Sequence, residues 1–194
     1  MVKKIDTSLI ERIRQAAVEI ISEHGITGSS VAAIAKRAQV SAGYLYRHYP
    51  SKEDLVNDLL NEALHTIAAK IDELIQQNDR IENIVQGIIG FILESAEANP
   101  HRIKFMIMLL SDFSIPNKPS VKEQIIRIGE TLIQKGRESG SIRKEITIED
   151  FYIALVGIPL QYLATKFRFN FGPQQRDLAA ETRKISELSM CAIK

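Results

Sequence analysis

Apolar residues recur three and four positions apart along nearly the whole chain, and no stretch alternates steadily between apolar and polar. That period buries one stripe of a helix and cannot bury one face of a strand, so the chain reads as all-α. Ser8-Leu9-Ile10-Glu11 has capping-box spacing, and Leu9, Ile13, Ala16, Ala17, Ile20 and Ile21 then run to a natural stop at Gly25. A short segment over Val31–Ala38, with Ser29 and Ser30 as candidate caps, and a second after Ser41 with Leu45 facing inward come next. Beyond Pro50, Ser51 and Asp54 cap a long helix over about 52–76, with Ile67, Ile71 and Leu74 on its apolar stripe.

More apolar helices follow, over Ile81–Ala98, His101–Phe113, Val121–Ser139 and Ile148–Phe169, with breaks at Asn99-Pro100, Gly140 and Gly172-Pro173. Thr147 and Asp150 cap the fourth of these, and Pro159 should kink it, having no N–H for the carbonyl of Leu155. A last helix runs to about Ala192. The organisation expected is a head over 1–51 and a bundle over 52–194.

With 194 residues, 45% of them hydrophobic and 25% charged, the chain can bury a core without staples. A lone Cys191 excludes a disulfide framework and a Cys-based zinc site. No apolar run reaches membrane-spanning length and the first residues lack a signal-peptide core, so the expectation is a cytoplasmic protein with no membrane partner. The net charge of +1 is uneven. Residues 1–50 hold seven basic residues (Lys3, Lys4, Arg12, Arg14, Lys36, Arg37, Arg47) against four acidic ones, a weak hint of a nucleic-acid end.

The informative stretch is Ser29 to Lys52, SSVAAIAKRAQVSAGYLYRHYPSK. Two helices too short to pack alone, joined by a tight turn and preceded by a longer amphipathic helix, have helix-turn-helix spacing. The second is small or aromatic-polar apart from Leu45. Small residues allow close approach in a major groove, and Tyr, His and Lys donors hold phosphate oxygens. Taken alone, the tyrosines are as consistent with core packing, and Tyr46, three residues before Tyr49, is expected to pack partly inward.

Gly25, Ser30, Ile34-Ala35, Ala38, Val40-Ser41, Gly43, Leu45-Tyr46, His48-Tyr49, Ser51-Lys52 and Leu55 together resemble the N-terminal signature of the TetR family of bacterial transcriptional regulators. The resemblance covers about a quarter of the chain. It implies a homodimeric repressor that binds a palindromic operator in double-stranded DNA and is released by a small molecule. It makes Tyr46, His48, Tyr49 and Lys52 phosphate contacts, with Ser30 capping and touching the DNA backbone. Ala42, Gly43, Tyr44 and Arg47, behind the cap Ser41, fall where base edges are approached. Two departures stand out. Gln39 replaces the usual turn glycine and must tolerate φ > 0 or shift the turn, and Ala32-Ala33 replace residues able to reach DNA.

The competing class is an all-α small-molecule or di-iron-like bundle without DNA affinity, prompted by Glu62-Ala63-Leu64-His65. Di-iron sites need a second such motif, and no other His lies three residues after a Glu, so no metal, cofactor or catalytic residue is expected. Ile67, Ile71, Leu74, Phe91, Phe105, Met106, Met108 and Tyr152, with Phe113 and Tyr162, are candidates for a mostly apolar effector pocket, although each singly is more simply core. Such a lining favours a lipophilic effector. The dimer joint is expected on Val121–Ser139 and Ile148–Phe169.

Overall fold

The computed structural model describes residues 7–112, 118–169 and 177–194; Phe113 and the Gly172-Pro173 break lie outside these. The described residues form helices α1 (Thr7–Gly28), α2 (Val31–Arg37), α3 (Ala42–His48), α4 (Lys52–Gln77), α5 (Ile81–Ala98), α6 (Pro100–Ser111), α7 (Pro119–Glu138), α8 (Ile148–Tyr152), α9 (Ile158–Phe169) and α10 (Leu178–Ile193), with no strand among them. A π turn, Ile153–Gly157, joins α8 to α9. At about 1.5 Å per residue the 26 residues of α4 extend ~39 Å.

The chain divides into two compact units, residues 1–62 with 101–117, and 63–100 with 118–194. The first is wider than residues 1–51: it takes the start of α4 and all of α6. Its core holds Ile13, Ala17 and Ile21 of α1, Ile34 of α2, Leu45 of α3, Leu55 and Leu59 of α4 and Phe105 of α6. Helix α1 turns at Gly25 (φ 75°), the stop expected there, before a final turn to Gly28. The described part of α1 begins at Thr7, with Ser8 and Glu11 in its first turns.

In the second unit α10 lies along α5, and α8 and the π turn pack beside α10. Thr147 and Asp150 form a reciprocal capping box: Asp150 N–H donates to Thr147 Oγ1 (3.2 Å) and Thr147 N–H to Asp150 Oδ2 (3.0 Å). These bonds, the backbone one foremost, hold the Asp150 carboxyl below its ordinary value. The distortion expected from Pro159 is present as the π turn. Ile158 N–H donates to Ile153 O, five residues back. The next bond in that pattern would run from residue 159 to Ala154 O, and proline has no hydrogen to give. The fully buried Ser189 Oγ, from α10, donates to that carbonyl instead at 2.7 Å.

Candidate nucleic-acid interface and effector cleft

Two serine caps frame the helix-turn-helix. Ser30 Oγ accepts from Ala33 N–H and Ser41 Oγ from Tyr44 N–H, both at 3.1 Å, so each short helix starts with an orphan donor satisfied. Leu45, fully buried, and Ile34 and Ala35 anchor α3 and α2 to the core. The opposite side of α3 presents Ser41, Ala42, Gly43, Tyr46 and Arg47, all exposed, with Tyr44 and His48 half-buried at its edge. Tyr44 and His48 rings pack against each other, centroids 4.7 Å apart. A Cβ on Gly43 would meet nothing, so internal packing does not require glycine there.

Tyr46 corrects one expectation: it is 52% exposed and does not share an inward face with Tyr49. The three-residue step assumed a continuing helix, whereas Tyr49 is already in extended backbone (φ −127°, ψ 96°). Its ring turns into the core and its hydroxyl donates to Asp58 Oδ2 at 2.7 Å. Arg14 holds the same carboxylate at 2.9 Å. Burial first, and the bond to Asp58 second, push the Tyr49 phenol up to about 12. Lys52 is also engaged: Nζ donates to Ile26 O at 2.6 Å and Ser29 O at 3.2 Å, carbonyls in the turn before α2. Ser51 Oγ accepts from Asp54 N–H at 3.0 Å, capping α4 as its sequence suggests.

Arg12 was missed by spacing rules. Gln39 does adopt φ 55°, and Arg12 of α1 reaches its turn, donating from Nε and Nη2 to Ala38 O (3.1 and 2.7 Å) and from Nη2 to Gln39 O (3.1 Å). Arg37 pairs with Glu19 at 2.9 Å and Glu23 at 3.4 Å.

The residues expected to line an effector pocket separate. Phe105 is 2% exposed in the core of the first unit, Met106 packs against that core, and Met108 lies on the same helix. The apolar face of α6 serves the head, so Phe105 and Met106 are packing residues rather than walls of a pocket in the bundle. Ile67, Ile71, Leu74, Phe91 and Tyr152 belong to the second unit. Leu74 packs flush on Gly87, where a Cβ would come within 2.4 Å of it. Burial raises the Tyr152 phenol above its ordinary value. Of the set, Ile71 lines an open cleft of about 510 Å³ between α4 and α7. Ala68 and Ile128 add apolar walls, while His65, Gln124 and Arg127 make the cleft more polar than the sequence reading had it. The buried Gln124 places Nε2 3.5 Å from His65 Nδ1. Glu62, the other half of the Glu-x-x-His spacing, instead accepts from Arg102 at 2.7 Å. Among the described residues no three His, Cys, Asp or Glu cluster as metal ligands would, and no helix is long and apolar enough to cross a membrane.

Comparison with known proteins places this geometry. Residues 13–59 match the family model "Bacterial regulatory proteins, tetR family". The fatty acid metabolism regulator protein of Bacillus subtilis is 24% identical over 185 residues, covering 94% of each chain. The transcriptional repressor KstR2 of Mycolicibacterium smegmatis is 25% identical, over 73% of this chain and 71% of its own. The crystal structure of Bacillus subtilis FadR in complex with stearoyl-CoA superposes with a TM-score of 0.76 at 22% identity, over 95% of this chain and 99% of that one. The helix-turn-helix head, the all-helical fold and these relatives agree: over residues 13–59 the chain carries the DNA-binding domain of the tetR family of bacterial regulatory proteins, and nearly its whole length is similar to regulators of that kind.

Proposed function

We propose that this DNA-binding regulator is a homodimeric repressor of a palindromic operator, released by an acyl amphiphile, and that it works in the cytoplasm. Residues 1–51 dock on DNA, and residues 52–194 bind the effector and form the dimer. The observation that carries the DNA reading is the exposed side of α3, capped by Ser41 and lined by Ala42, Gly43, Tyr46 and Arg47. Tyr44 and Arg47 approach base edges, and Ala42 and Gly43 leave room for them. Ser30, Tyr46 and His48 hold phosphates. Tyr49 and Lys52, already bonded inside the head, reach phosphates only with what their internal bonds leave over.

Two heads must be joined to read an operator, with recognition helices about 34–36 Å apart. Exposed apolar side chains favour a joint on the helices that end the chain. Ile153, Phe167 and Phe169 on the π turn and α9, and Leu188 on α10, are 40–59% exposed. Helix α7, the other candidate, has no large apolar residue exposed to that degree.

The effector class rests on the cleft and on the relative that binds stearoyl-CoA. Ala68, Ile71 and Ile128 suit part of an acyl chain, and Arg127 and His65, with Gln124 and Thr131, offer donors to an anionic head group against the one carboxylate in the lining, Asp72. Of the two carboxylates that would favour a cation by pointing inward, Glu94 is exposed and Asp112 is half-buried at the end of α6. The test selects duplex DNA from a random pool, then titrates palmitoyl-CoA and palmitate against the bound complex. A coupling of about 1–3 kcal/mol lowers DNA affinity five- to over a hundredfold. Acyl ligands that bind while DNA affinity stays constant refute the effector reading. A selected site without two-fold symmetry refutes the palindromic dimer.

A further inference from the structure

We propose that Arg12 is a positioning residue for DNA docking, holding the turn between α2 and α3 in a shape that Gln39 alone keeps poorly. Helix α2 closes with Gln39 N–H donating to Lys36 O (3.2 Å) and Val40 N–H to Ala35 O (3.0 Å). That pair of bonds requires the residue between helix and strand-like backbone to be left-handed, the place glycine normally takes. The same chain makes the same closure after α7. There Gly140 N–H donates to Arg137 O (3.1 Å) and Ser141 N–H to Gly136 O (2.9 Å), and the left-handed residue is Gly140 at φ 69°. Gln39, at φ 55°, is the one non-glycine residue with positive φ among those described, and its Cβ makes the conformation strained.

Among the described residues only the strained copy has an arginine on the carbonyls of the turn itself; at the other, Arg137 donates beyond the turn, to Lys144 O and Ile146 O. Ending α2 leaves the last carbonyls without helical N–H partners. Arg12 takes Ala38 O with two nitrogens and Gln39 O with one, all within 3.1 Å. The direction of Gln39 O is set by the rotation of the peptide after Gln39, and Ser41, the cap of α3, follows two residues on. Fixing that carbonyl therefore fixes how α3 leaves the turn. A guanidinium does this because its donors are rigidly spread in one plane, which an ammonium cannot imitate.

The inference rests on the DNA-binding reading, and the test uses the full-length protein with a duplex that the unsubstituted protein selects from a random pool. Arg12→Ala should weaken binding about tenfold with the slope of log affinity on log salt unchanged, since no phosphate contact is removed. Gln39→Gly in the Arg12→Ala background should recover most of that loss, because glycine needs no clamp. Arg12→Lys, which keeps charge and fold, should bind nearly as weakly as Arg12→Ala. Undiminished affinity in Arg12→Ala overturns the proposal. So does a slope smaller by about one unit without rescue by Gln39→Gly, which makes Arg12 a phosphate contact. Full affinity in Arg12→Lys likewise shows that charge alone matters. If the unsubstituted protein selects no duplex, the DNA reading fails by itself. Amide exchange at Gln39 and Val40 then still decides the clamp: faster in Arg12→Ala and slowed again by Gln39→Gly supports it, and unchanged exchange overturns it.

Discussion

Removing the Ser189 hydroxyl should destabilise the bundle by leaving one buried carbonyl, that of Ala154, without its side-chain donor. Ser189 and Ala154 are both fully buried, and their 2.7 Å bond stands in for the donor missing at Pro159. In Ser189→Ala the carbonyl stays buried without its serine donor. A lost bond that leaves a buried acceptor unsatisfied costs about 1–3 kcal/mol, so about 2 kcal/mol is expected here. The dependence on Pro159 is the sharper consequence. Pro159→Ala restores a backbone N–H that can serve Ala154 O, and in that background Ser189→Ala should cost less than about 1 kcal/mol. Urea unfolding followed by far-ultraviolet circular dichroism gives the four free energies, at one protein concentration because assembly contributes to stability. Equal cost in both backgrounds would refute the argument that the serine answers the proline. A cost below about 0.5 kcal/mol in the native background would refute the importance of the bond.

Lys52→Ala should destabilise the head by about 1–2 kcal/mol, because Ile26 O and Ser29 O lose their donor. A salt slope smaller by about 0.9 in the same variant assigns Lys52 a phosphate as well, and an unchanged slope confines it to the carbonyls. Ile153→Asp, on the 59% exposed π-turn side chain, should yield monomers in sedimentation and lose operator binding; an intact dimer moves the joint elsewhere. Tyr49 makes a pH prediction with a definite sign. Its folded value of about 12 lies above the ordinary 10.0, so the stability it contributes is complete below pH 10 and is lost as pH rises toward 12. Asp58→Asn should lower the titration midpoint of Tyr49 only part of the way, since burial is the larger cause; a midpoint that does not move removes Asp58 from the account.

What could be read from the sequence was local. Ser30, Ser41, Ser51 with Asp54, and Thr147 with Asp150 act within three residues, and each caps where its spacing put it. Pro159 lacks the N–H its helix needs, so a distortion there follows from one residue, and of the two outcomes open at Gln39, a positive φ or a shifted turn, the chain takes the first. What could not be read depended on partners far along the chain. Apolar spacing in α6 says that a face is buried, and nothing in it says that Phe105 joins the same core as Ile13 and Leu45. Tyr46 and Tyr49 part because the helix ends one residue sooner than their spacing requires. Arg12 and Ala38 meet across 26 residues, a distance at which no periodicity speaks.

The same limit applies to charge. Seven basic residues against four acidic ones in the first fifty hint at a cationic head. In the folded chain Arg12 is bonded to carbonyls, Arg14 to Asp58, and Arg37 to Glu19 and Glu23, while Lys3 and Lys4 lie outside the described residues. Lys36 and Arg47 are the two of the seven that remain exposed without those commitments. Each cation that pairs internally releases no counterion on docking, so the salt dependence per head must fall below what a count of basic residues implies. On the docking proposed above, affinity leans on hydrogen-bonding neutral groups, such as Ser30 and Tyr46, and on the fit of a helix with alanine and glycine at its leading turn. Those contacts depend on orientation far more steeply than a point charge does. A head of this kind needs its turn held rigid, and Arg12 and Arg14 are bonded where they stiffen the scaffold.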